Sequence, residues 1–156
     1  MKKILTILML LCLSMGAMAQ KGQTAIGANL LYGNDTNLGV AAKLRYNITD
    51  KLRVEPAFEY YFKHDHVSTW DLGASLQYLI PVAPQVQVYP LAGLAYFKSK
   101  VSGHGYEASG DGKVGFNLGA GVDFPLSSCI LSLEAKFQIV DGWDQLVVGA
   151  GFAIPF

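Results

Sequence analysis

The stretch Leu146 to Phe156, LVVGAGFAIPF, ends the 156-residue sequence and decides its fold. Leu146, Val148, Ala150, Phe152, Ile154 and Phe156 fall on one face of an extended strand. Val147, Gly149, Gly151 and Ala153 fall on the other, because successive strand side chains point to opposite sides. One face is bulky and apolar, the other small. A soluble β-sandwich could end the same way, so the rest of the chain has to decide what covers the bulky face.

The same period of two recurs along the chain, with no amphipathic segment at helical spacing. It predicts eight strands, at 23–32, 36–47, 52–62, 69–80, 86–97, 113–124, 130–140 and 145–156. Each is about as long as the 9–11 residues a tilted strand needs to cross a bilayer, and longer than the usual five or six of a globular strand. Short turns, 47–51, 81–85 and 125–129, alternate with connections at 33–35, 63–68, 98–112 and 141–144. The longest, 98–112, is Gly-rich and polar, and is expected to be a flexible loop. Short turns at one end and longer loops at the other are the pattern of a transmembrane barrel.

Parity carries the argument further. In the first six strands and the eighth, even-numbered residues form the apolar face; in 130–140 the odd set takes over, with Leu131, Leu133, Ala135, Phe137 and Ile139. The opposite faces hold Lys43, Arg45, Arg53, Glu55, Glu59, Asp71, Lys113, Asp123, Glu134 and Lys136. An Arg or Lys facing lipid at mid-membrane costs about 2–4 kcal/mol. The apolar face is therefore assigned to lipid and the charged face to the lumen.

A soluble lipocalin-like barrel also alternates, with its apolar face inward. Two features oppose it. Gly27, Gly39, Gly73, Gly93, Gly115, Gly119, Gly121, Gly149 and Gly151 lie on the charged side, where they suit a crowded interior. Aromatics are sorted by height on the apolar side. Tyr46, Tyr78, Phe124 and Phe156 lie near the turn end, and Tyr32, Tyr60, Phe62, Trp70 and Tyr96 near the loop end. These are two girdles, one per membrane interface.

Met1-Lys2-Lys3, an apolar run from Ile4 to about Met15 and Ala17-Met18-Ala19 form the pattern of a signal peptide over 1–19, leaving 20–156 as the barrel domain. Cys12 falls within it, which leaves Cys129 with no intrachain disulfide partner. The formal net charge is zero, so no nucleic acid is expected as partner.

Taken together, the chain resembles the small bacterial outer-membrane β-barrel proteins, the porin-like eight-stranded barrels of the OmpA, OmpX and OmpW type. The C-terminal strand resembles the signal read by the barrel-insertion machinery, which makes Phe152, Ile154 and Phe156 the expected assembly signal. The resemblance implies an all-β, antiparallel up-and-down transmembrane barrel in the outer membrane, monomeric, with periplasmic termini and outward loops. The partners it implies are outer-membrane lipid and the secretion and assembly machinery. It names no cofactor, and the surface ligand stays open. Pro56 and Pro90 depart from an ideal strand, and each is expected to cause a local bulge.

Two places could carry chemistry. His64-Asp65-His66-Val67-Ser68, with His104 or Asp111, has metal-ligating residue types but no spacing of a closed site, and solvated loop is the better account. His66 and Ser68 faintly resemble the His-x-Ser pair of the outer-membrane lipid A deacylase, without an outward carboxylate beside them. No metal site and no catalytic residue are therefore assigned. The second place is the lumen, where five cations and five carboxylates could line a channel or fill the interior as ion pairs; eight strands leave room only for side chains. A hairpin centred on Thr49 would set Lys43 opposite Glu55 and Arg45 opposite Arg53. A four-residue 141–144 turn would set Glu134 near Gly151 and Lys136 near Gly149. The function expected is a non-enzymatic barrel with a filled polar lumen; a narrow channel for small or apolar solutes is the alternative, and a lipid-modifying enzyme is less favoured.

Overall fold

The structure is a computed structural model and describes residues 21–64, 66–103 and 105–156. The segment 1–20, with the expected signal peptide, lies outside the described residues. Ten strands follow one another: β1 (Thr24–Gly33), β2 (Asn37–Asn47), β3 (Leu52–His64), β4 (Val67–Tyr78), β5 (Ile80–Ala83), β6 (Val86–Gly103), β7 (Tyr106–Ser109), β8 (Lys113–Pro125), β9 (Ile130–Val140) and β10 (Trp143–Pro155). Antiparallel pairing runs β1–β2–β3–β4–β6–β8–β9–β10, and β10 returns to β1. β5 continues β4 along β6, and β7 pairs with the far end of β6 alone. The result is a closed, eight-stranded antiparallel barrel.

The barrel is turned inside out relative to a soluble one. Leu30 is 62% exposed and Val114 65%, whereas Arg45 is 2% exposed and Asp123 fully buried. Alternation places most of the large apolar residues outside, and β9 reverses parity, with Leu131, Leu133, Phe137 and Ile139 outside and Ser132, Glu134, Lys136 and Gln138 inside. The exposed apolar wall needs a nonaqueous medium, since soluble monomers rarely show apolar patches above a few hundred Å².

Several details differ from the sequence expectations. Neither proline produces a bulge. The β3–β4 register passes Pro56 unshifted, and the β6–β8 register passes Pro90 unshifted. The missing N–H is met by a gap in pairing instead. The β2–β3 ladder has no partners recorded between Lys43–Ala57 and Tyr46–Val54, and β4 breaks from β5 at Leu79, beside Pro90. The register shifts that do occur lie between Tyr61 and His64 and between Pro81 and Ala83, both next to strand ends. The 98–112 connection is not a plain loop. β6 runs on to Gly103 and turns through Gly105, whose φ of 79° suits glycine, into β7. A raised hairpin therefore stands above the loop end, with β4 beside it from Val67 to Thr69.

Two hairpin registers also move by two residues. Thr49 Oγ1 accepts from the backbone N–H of Lys51 and Leu52 at 3.2 and 3.0 Å, so the turn centres on Asp50. Lys43 then faces Ala57 and Asn47 faces Arg53. The β9–β10 turn is two residues long, with Gly142 at φ 96°, and sets Glu134 opposite Gly149 and Lys136 opposite Val147. A shift by two keeps every side chain on its face and changes only its neighbour.

Candidate functional site in the lumen

β2, β3, β8 and β9 supply the charges that meet inside. From the turn end upward, Arg53 Nη1 lies 2.8 Å and Arg45 Nη1 3.5 Å from Asp123 Oδ2. Arg45 Nε donates to Glu55 Oε2 at 2.6 Å. Lys43 Nζ sits 3.0 Å from both Glu55 Oε1 and Glu134 Oε1. Signs alternate along Arg53–Asp123–Arg45–Glu55–Lys43–Glu134, so the revised hairpin register removes the Arg45–Arg53 clash that a symmetric one implies. Lys136 donates to Glu59 in a separate pair above. Glu134→Ala thus strips a partner from Lys43, not from Lys136.

Neutral side chains extend the network. Ser132 Oγ donates to Asp123 Oδ1 at 2.7 Å and accepts from Arg45 Nη2 at 3.1 Å. Tyr89 OH donates to Glu134 Oε2 at 3.0 Å, and the Arg53 guanidinium lies 4.9 Å from the centre of its ring. Tyr61 OH donates to Glu59 Oε2 at 2.9 Å. Gln77 accepts from Arg53 Nε at 2.5 Å, and Gln145 donates to Gln138 at 2.5 Å. Every charge-assisted bond here is between buried side chains, where such bonds are strong and an unpaired charge is costly. Apolar clusters flank the network: Leu79, Tyr89 and Leu91, and toward the loop end Ala95, Phe97 and Val140, with Trp143 edge-on to Phe97 at 5.6 Å. Between them a cavity of about 10 Å³ persists, enough for one water.

Of the ten charged residues singled out in the sequence, eight join these ion pairs. Lys113 does not; it is exposed at the loop end and donates to the Asp141 carbonyl at 2.5 Å. Asp71 is buried but its Oδ2 has no partner. The neutral members, Ser132, Tyr61, Gln77, Tyr89, Gln138 and Gln145, share the inward parity of their strands, and that parity was the available signal. On the outside, Tyr32, Tyr60, Phe62 and Tyr96 are exposed toward the loop end and Tyr46 and Tyr78 toward the turn end; Trp70 and Phe124 are half-buried. Trp70 packs at 6.0 Å from Phe58 and 6.2 Å from Tyr96. Phe152 and Ile154 lie on the outer side of β10. The Phe156 N–H donates to the Thr24 carbonyl at 2.9 Å, closing the ring, while its side chain is 78% exposed.

Among the described residues the histidine loop gathers nothing comparable. Asp65 and His104 lie outside the described residues, and His66 is exposed in a turn at φ 71°. Among the described residues no three His, Cys, Asp or Glu side chains are grouped to hold a metal.

The fold recurs in solved barrels. The N-terminal β-barrel domain of Pseudomonas aeruginosa OprF is similar at 17% identity and a TM-score of 0.72, over 87% of this chain and 98% of that one. Neisserial surface protein A is similar at 16% identity and 0.71, over 86% and 96%. Ail, the attachment invasion locus protein of Yersinia pestis, is similar at 19% identity and 0.57, over 88% and 100%. No curated protein sequence matches. The family described as outer membrane protein beta-barrel domain matches residues 5–152. That match spans most of the chain and agrees with its closed barrel, and the chain belongs to this outer-membrane β-barrel family.

Proposed function

We propose that the protein is a non-enzymatic, monomeric outer-membrane barrel whose lumen is sealed by its ion-pair network and whose loop end meets the environment. The observation that carries this is the alternating six-charge chain from Arg53 to Glu134, packed against a cavity of about 10 Å³. A water-filled channel would leave such charges hydrated rather than bonded to one another. In planar bilayers the purified protein is expected to show no steady conductance, and liposomes containing it should not swell in small sugars. A stable open channel would favour the narrow-transporter reading instead.

The termini are assigned to the periplasm and the β6–β7 hairpin to the cell surface. Short turns, the start of β1, the end of β10 and the exposed Phe156 share one end, which suits delivery of the C-terminal strand to the assembly machinery from inside. The raised hairpin supports a surface role, and a similar barrel carries the name attachment invasion locus protein. An epitope inserted after Gly105 should be stained on intact cells, and one in the 84–85 turn only after permeabilisation. Staining in the opposite order would invert the topology.

A further inference from the structure

Among the described side chains the buried charges do not balance. Four cations, Lys43, Arg45, Arg53 and Lys136, share the lumen with five carboxylates, Glu55, Glu59, Asp71, Asp123 and Glu134. Asp71 is the carboxylate without an ion pair among the described residues. It is 2% exposed, and its Oδ2 has no hydrogen-bond partner. Its register makes matters worse. Asp71 on β4 stands directly across from Glu59 on β3, and like charges so placed repel. Glu59 already holds Lys136 and the Tyr61 hydroxyl. On its other side Asp71 faces Phe97 of β6, which offers no charge.

The space next to this carboxylate is specific. The residual cavity is lined by Asp71, Glu59, Lys43, Lys136, Asn117 and small wall residues such as Gly73. Asn117 Oδ1, from β8, is a second buried acceptor without a partner. Two unsatisfied oxygens thus border room for one water-sized guest, and a buried carboxylate without a directly bonded counter-charge is costly. Lys43 and Lys136 border the same space, which weighs against a doubly charged guest.

We propose that Asp71 and Asn117 form a buried site for one monovalent cation, a proton on the carboxyl or a sodium ion, that completes the charge balance of the lumen. The Asp71→Asn variant tests it, because the amide keeps the shape and removes the charge. The variant should fold and unfold thermally at a midpoint no lower than that of the parent, in the same detergent. The parent itself separates the two ions. If sodium is the guest, replacing it with choline at constant ionic strength lowers the parent's midpoint and leaves that of Asp71→Asn unchanged. If a proton is the guest, the parent is indifferent to sodium. Its infrared spectrum at neutral pH then carries a carboxylic-acid carbonyl band that Asp71→Asn lacks. A parent with neither sodium dependence nor that band overturns the site, as does an Asp71→Asn variant that fails to fold or melts below the parent.

Discussion

Asp123→Ala is expected to destabilise the barrel by about 3–5 kcal/mol, the usual cost of removing one partner from a buried ion pair. Asp123 is fully buried and holds two arginines together at the turn end. Without it Arg45 keeps Glu55 at 2.6 Å, whereas among the described residues Arg53 keeps the Gln77 side-chain Oε1 and the face of Tyr89. Most of the penalty therefore falls on Arg53. Adding Arg53→Met should return part of the loss, since it removes the stranded charge and retains an unbranched apolar side chain. Urea unfolding in detergent micelles, followed by the mobility shift between folded and unfolded forms on gels, measures both variants. If the double variant is as unstable as the sum of the singles, the arginine is hydrated. The lumen is then wet at that level, which would count against the sealed barrel.

What the sequence made legible follows from the period of two. A strand that fails to alternate cannot separate lipid from charge, so parity alone places Lys43, Arg45, Glu55, Glu59, Glu134 and Lys136 inside. Partner identity is a finer matter. It depends on turn length, and a turn centred on Asp50 rather than Thr49 hands Arg45 to Glu55 while leaving its parity unchanged. The β6–β7 hairpin was hidden for a related reason. Its residues, among them Ser99, Ser102, Gly103 and Ser109, have weak strand propensity, and pairing with the edge of β4 and through the turn at Gly105 holds them extended instead. The imbalance at Asp71 was hidden by Lys113. On parity Lys113 counts as a fifth inward cation, but it stands at the mouth of the barrel, bonded to the Asp141 carbonyl.

Gly121→Val sets two physical effects against each other, and the larger should abolish assembly of the folded barrel. By strand propensity alone the change is favourable, because valine suits a pleated strand and glycine weakens one. Packing has the opposite sign. A Cβ at Gly121 would overlap the phenol ring of Tyr89, which lies across it and is fully buried. The ring cannot move aside cheaply. Its hydroxyl is bonded to Glu134 at 3.0 Å, and Arg53 stacks on its face. Displacing it would loosen Glu134 and with it the Lys43 end of the charge chain. Overpacking a core costs about 1–3 kcal/mol even without such losses, and the lost bond to the charged Glu134 adds roughly 1.5–3 kcal/mol. The folded, fast-migrating species should therefore disappear in Gly121→Val. Shortening the obstacle with Tyr89→Leu in the same chain should bring part of it back, because the steric term goes and only the hydrogen bond and the cation–π contact remain lost. If Gly121→Val folds as well as the parent, the ring is free to shift, and the glycine is present for some reason other than the space it leaves for Tyr89.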